Sequence, residues 1–238
     1  MAERSGRDRL QRADRILDTA RELLLSWGYR RVTIDELARR ADVGKGTVYL
    51  HWRSREEVFH AVSAREAAAM ADAIVQAVHD NPAEVALHRY LRRLFVEAMN
   101  RPVLRALYTR DADTLDTFLA SAHHHHLEES KLGVNRDYLG VLDAEGMLRP
   151  GLRLNDLDYI LPSIVFGFFA AEPFLPPSLG LNLDQKADQL ADTVRRAFEP
   201  TGAPSSAAVK RAAAKAIPIL GRIAQDHRTA TYGGDPND

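Results

Sequence analysis

The chain has 238 residues, with 32 Lys and Arg against 33 Asp and Glu, and no cysteine. That length fits one medium domain or two small ones and leaves ample chain to bury a core, while the missing cysteine excludes disulfide scaffolds, zinc ribbons and thiol catalysis. The longest apolar run, 160–171, carries Pro162 and Ser163 and falls short of the roughly twenty residues of a membrane span. The opening residues Glu3, Arg4, Arg7, Asp8 and Arg9 lack the apolar core of a signal peptide, so a soluble, cytoplasmic protein without membrane contact is expected.

The net charge of −1 conceals an asymmetry: residues 1–55 hold thirteen Lys and Arg against eight Asp and Glu, and the remainder nineteen against twenty-five. A head of +5 on a body of −6 calls for an anionic partner at the N-terminal end, with nucleic acid the first candidate.

Ile16, Leu17, Ala20, Leu23, Leu24 and Trp27 recur at helical spacing, predicting a first helix over about residues 12–27 with Gly28 as its left-handed C-terminal cap. Thr33-Ile34-Asp35-Glu36 reads as a capping box, in which Thr33 takes an orphan amide and Glu36 reaches back. The second helix that follows shows one apolar face through Ile34, Leu37, Ala38 and Ala41. Ala41-Asp42-Val43-Gly44 is a tight connection, with Asp42 tolerant of a left-handed conformation, and a third helix is predicted over 45–52. Two short helices joined by a few residues make a helix-turn-helix, whose second element enters the major groove. Lys45 and Thr47 stand at the start of that element, where side chains and free amides face outward together. Gly46 permits a close approach of backbone to DNA, Tyr49 shares the face of Lys45, and Val48 and Trp52 point inward. Leu50 could meet a thymine methyl. The arginines at 4, 7, 9 and 12 either reach into an adjoining minor groove or are simply solvated.

With Thr33-Ile34-Asp35-Glu36-Leu37-Ala38, the turn 41–44 and the run Lys45-Gly46-Thr47-Val48-Tyr49-Leu50-His51-Trp52-Arg53-Ser54-Arg55-Glu56-Glu57, residues 12–58 closely resemble the DNA-binding head of TetR-type transcriptional regulators. The resemblance implies phosphate contacts for Thr33, His51 and Arg55. The chain departs from the family pattern at Gly44, where Ser or Thr is usual, and at Asp42, where Gly is usual. Gly retains most of the stability of a good N-cap, so the fold survives and one phosphate contact is put in doubt.

The remaining elements are helical as well. Ser54-Arg55-Glu56-Glu57 caps a long helix to about Asp80, Asn81-Pro82 starts another, and Arg101-Pro102 breaks it before a short one. Helices are predicted around 115–122 and over 136–147. Asn155 is read as the cap of a helix apolar on nearly all sides, and 183–198 carries a single clean stripe. The turn Leu148-Arg149-Pro150 and the two helices after it resemble the dimerisation pair of the same family. A linker at 200–204, a last helix interrupted by Pro218 and a frayed end from Tyr232 complete the chain.

The fold class expected is all-α: a three-helix DNA-binding domain over 1–55, a helical-bundle ligand-binding and dimerisation domain over 56–200, and an added C-terminal segment over 201–238. The resemblance implies a ligand-responsive regulator, a repressor, that binds double-stranded palindromic operator DNA as a homodimer through residues 156–198. It also implies a small-molecule effector in the body, whose candidate walls are Leu94, Phe95, Leu104, Tyr108, Phe118, Tyr138, Tyr159 and Phe166; such walls suit an apolar or aromatic ligand. No cofactor is expected. His123-His124-His125-His126 with Glu129 leaves open a helical-bundle metal-binding protein or enzyme, but no nucleophile elbow, phosphate loop or metalloprotease motif accompanies it.

Overall fold

The computed structural model describes residues 2–109, 122–171 and 174–232, and the side chains of 2–5, 109, 122–129 and 177 are not among those described. Among the described residues every regular element is a helix. In chain order these are α1 (Ala2–Trp27), α2 (Ile34–Arg40), α3 (Lys45–Tyr49), α4 (Arg55–Asp80), α5 (Leu87–Met99), α6 (Pro102–Thr109), α7 (Ala122–Ala144), α8 (Leu154–Ala170), α9 (Leu183–Phe198) and α10 (Ser206–Tyr232). The fold is that of a helix-turn-helix head on a helical body.

Two apolar cores divide the chain. The head core joins Ile16, Leu17, Ala20 and Leu23 of α1 to Ile34 and Leu37 of α2, Val48 of α3, Trp52, and Val58, Phe59 and Val62 of α4. It also takes in Val103 of α6, with Leu107 and Tyr232 packed against it. α4 therefore starts inside the head and runs on into the body for about 39 Å. Its N-terminus is held at Ser54, whose hydroxyl accepts from the Glu57 amide at 3.2 Å, while the Glu57 carboxylate accepts from the Arg53 amide at 2.7 Å.

The body core gathers α5, α7, α8, α9 and α10 on the far half of α4. Tyr138 lies at its centre, buried, with its ring 4.9 Å from Tyr90 and its hydroxyl donating to the Val85 carbonyl at 2.7 Å. α9 starts in a full capping box, Asn182 with Gln185. α10 lies along α4 and α7, and its Ala212, Ala213, Ala216 and Ala224 are all buried. Salt bridges tie it down: Arg228 to Asp72 at 2.6 Å, Arg222 to Asp137, and Arg211 and Lys215 to Glu145, each at 2.8 Å.

Several local expectations change. α1 starts at Ala2, not near Arg12, because a nucleated helix propagates through residues with no apolar stripe of their own. An α-helix is about 10 Å across and the minor groove about 6 Å, so in place of an arm threading the minor groove the chain has a helical extension of α1. The helix expected over 136–147 is part of a longer one, α7, which starts at Ala122 and ends at Ala144. Asn155 lies inside α8, whose N-cap is Arg153. Pro218 does not interrupt α10, and Tyr232 is its last residue, bonded to Asp14 at 2.7 Å. Gly28 and Asp42 do take positive φ, +76° and +54°.

Replacing Tyr138 with Phe strands the buried Val85 carbonyl. Tyr138→Phe should lower the unfolding free energy by about 1–2 kcal/mol, measured by urea denaturation, without changing helix content.

Candidate nucleic-acid interface

A five-residue helix presents two faces here. Val48 is fully buried and Trp52, just beyond the helix, is nearly so, which turns Lys45, Gly46 and Tyr49 outward into solvent. Tyr49 is 45% exposed and Leu50 76%, so neither belongs to the core. Thr47 is half-buried beside them. Gly44 is the N-cap in extended conformation and supplies no side-chain bond, leaving that helix start bare.

The charged groups nearby are already engaged. The Lys45 ammonium pairs with Asp35 of α2 at 2.9 Å, and this carboxylate raises the lysine pKa through its hydrogen bond and charge. Arg55 lies over the Tyr29 ring at 4.4 Å and donates to the Val32 carbonyl at 3.3 Å, stapling the loop before α2 to the start of α4. Thr33 caps α2 by accepting from the Glu36 amide at 3.3 Å. Glu36 does not complete the capping box: Arg39 and Arg40 hold its carboxylate at 2.6 and 2.7 Å and lower its pKa to about 2, because charge-assisted bonds outcompete one to a neutral amide.

His51 is half-buried, its ring 5.3 Å from that of Trp52. Burial, then the charges of Arg9 and Arg12, push its pKa below the ordinary 6.5. The helical extension of α1 thus brings two exposed arginines near the same face.

The candidate effector walls come together only in part. Phe95 is fully buried, 4.9 Å from Phe169 and 6.4 Å from Phe168, and Tyr108 stacks on Phe169 at 4.6 Å. Phe168 and Phe169 were missed as wall residues, since an all-apolar helix gives no sign of which side turns inward. Leu104 is buried and Leu94 half-buried. Tyr138 commits its hydroxyl to Val85. Tyr159 and Phe166 stand on the surface of α8, 79% and 51% exposed, and Phe118 lies outside the described residues. A groove of about 390 Å³ between α5 and α9 is polar instead, lined by Glu84, His88, Arg89, Arg92 and Asp188 among others. The side chains of His123–His126 fall outside those described, and among the described residues no group of three His, Asp or Glu could hold a metal ion. Among the described residues no helix is long and apolar enough to cross a membrane.

Residues 16–62 match the family model for bacterial regulatory proteins of the tetR family. The HTH-type transcriptional regulator SrpR of Pseudomonas putida is 26% identical over 202 residues, 74% of this chain and 92% of its own. Two solved structures share the fold. The fatty acid degradation regulator FadR of Bacillus halodurans superposes with a TM-score of 0.59 at 15% identity, covering 77% of this chain and 94% of its own. SmeT, the repressor of the Stenotrophomonas maltophilia multidrug efflux pump SmeDEF, gives 0.58 at 21%, covering 82% and 94%. An exposed recognition helix locked to a three-helix core defines a helix-turn-helix DNA-binding protein. With residues 16–62 matching the tetR family model and a body of the same fold, the chain is similar to TetR-type transcriptional regulators.

Two outcomes test the face. A Cβ at Gly46 meets nothing within 4 Å, so Gly46→Ala should stabilise the head by about 0.5–1 kcal/mol through helix propensity and yet weaken DNA binding, if this backbone lies against DNA. Thermal melts and fluorescence anisotropy read the two effects separately. Burial and the neighbouring arginines lower the His51 pKa in the free head; if a DNA phosphate stands beside it in the complex, that phosphate raises the pKa and binding takes up a proton. Affinity should therefore rise as pH falls from about 7.5 to about 6 at fixed salt, and His51→Gln should flatten that dependence.

Proposed function

We propose that this chain is a one-component repressor that binds a palindromic operator as a homodimer and releases it when a small apolar or aromatic effector occupies the body. The observation that carries the reading is the outward face of α3, where Lys45, Gly46 and Tyr49 stand exposed beside Leu50 on a helix anchored by Val48 and Trp52. Thr33 and Thr47, with His51 and Arg55 on the flank, complete the proposed contact set. DNA phosphates take Lys45 from Asp35 and draw on the positive head.

One short helix reads only a few base pairs, so two heads in a symmetric dimer are needed for useful specificity. The uncovered side of α8 supports that assembly: Tyr159, Ile160 and Phe166 are exposed along it, and Phe174, Leu175, Leu179 and Leu181 extend the apolar surface toward α9. The outer side of α9 is polar, with Asp188, Gln189, Asp192 and Arg196 exposed, so α8 supplies the apolar part of the proposed 156–198 interface. The aromatic cluster of Phe95, Tyr108, Phe168 and Phe169 supports an effector of apolar character, and SmeT, known in complex with triclosan, shows such a ligand on this fold.

The test uses a duplex selected by the wild-type protein from a random pool. Lys45→Ala should weaken its binding about tenfold and flatten the salt dependence by about one counterion, with helicity and dimerisation intact. Phe166→Glu should leave the protomer folded, since this ring is exposed, but yield monomers in sedimentation and lose the selected duplex. Wild-type affinity in Lys45→Ala, or a dimer in Phe166→Glu, would overturn the corresponding assignment.

A further inference from the structure

The end of α10 is built into the head. The last carbonyls of any helix lack partners within it, and that of Thr231 accepts the indole N–H of Trp52 at 3.2 Å in a buried position. Trp52 closes the core beneath the recognition helix. Next to it, Tyr232 packs against the head core and donates its phenol to Asp14 of α1 at 2.7 Å. Burial, then the Asp14 carboxylate, push that phenol up to about 12, so it remains a donor at every working pH. Asp14 and Asp18 also meet Arg65 of α4 at 3.9 and 2.7 Å, so α1, α4 and α10 are joined at one point.

The other end of α10 belongs to the body. Glu145, at the end of α7, takes Arg211 and Lys215, Asp137 takes Arg222, and Asp72 takes Arg228 through two bonds of 2.6 and 2.7 Å. One continuous 27-residue helix is therefore fastened to the body along most of its length and to the head at its last turn.

We propose that Thr231 and Tyr232 are positioning residues for DNA binding: they hold the recognition helix through Trp52 and α1 through Asp14, and so fix the angle at which the body presents the head to DNA. This rests on the DNA-binding reading of α3. Movement of α7 against α4 reaches the recognition helix through α10 directly, in addition to the covalent route along α4.

The experiment compares the wild-type chain with Tyr232→Phe, Trp52→Phe and a chain ending at Ala230. The protein has no cysteine, so Ser26→Cys on the head and Asp143→Cys on the body, both exposed, accept a pair of spin labels without background. Labelled chains are diluted with unlabelled ones so that distances within one chain are read. The wild-type distance distribution should be narrow and the three variants broader. Affinity for the duplex selected by the wild-type protein should fall about five- to tenfold, the size of one lost hydrogen bond, while affinity for a random duplex of equal length stays unchanged. An unchanged distribution in all three variants overturns the proposal whatever DNA binding does. A broader distribution with an unaltered ratio of selected to random affinity also overturns it, reducing the contact to packing. Broadening in a protein that binds no duplex at all would leave the head held by α10 and refute the DNA-binding reading instead.

Discussion

A helix of five residues does not hold itself in water, because nucleating a helical turn costs more than one or two bonds return. α3 exists because Val48 and Trp52 are buried against α1, α2 and α4. That burial fixes the outward direction of every other side chain on it, so the core of the head and the surface it offers are one constraint. The tight turn at Asp42, with φ +54°, brings α2 close enough for Asp35 to meet Lys45. A carboxylate stationed beside the lysine offsets its charge in the free protein.

Much of the head was legible in the sequence because its signals are local. The three- and four-residue spacing of Ile16, Leu17, Ala20 and Leu23 gives the buried side of α1, and Gly28 and Asp42 mark where the chain turns. Reading Val48 and Trp52 as inward and Tyr49 as outward follows from the same spacing. The failures are competitions that spacing cannot rank. Glu36 had its own cap and two arginines within reach, and the guanidiniums won. Nor does spacing show that Arg55, which the resemblance assigns to a phosphate, is stacked on Tyr29 in the free head.

In the body the ambiguity is of another kind. α8 is apolar nearly all round, and nothing in such a pattern says which side meets the protein's own core. Leu157, Leu161 and Phe169 turned out to be buried, while Tyr159 and Phe166 face outward. Tyr138 stood among the candidate effector walls, yet its hydroxyl closes a bond to a carbonyl 53 residues away. Contacts of that span leave no periodic trace, and the same is true of Trp52 with Thr231.

That last pair bears on the order in which the molecule is made. Its partners lie 179 residues apart, and contacts of such separation form late in folding because the intervening loop must close first. During synthesis the N-terminal helices emerge first and can collapse on their own apolar core, but the floor beneath the recognition helix stays open until Thr231 has left the ribosome. A polypeptide that stops before Thr231 would carry a head of the right sequence without this tether, so the head is fully fastened only once Thr231 and Tyr232 have been made.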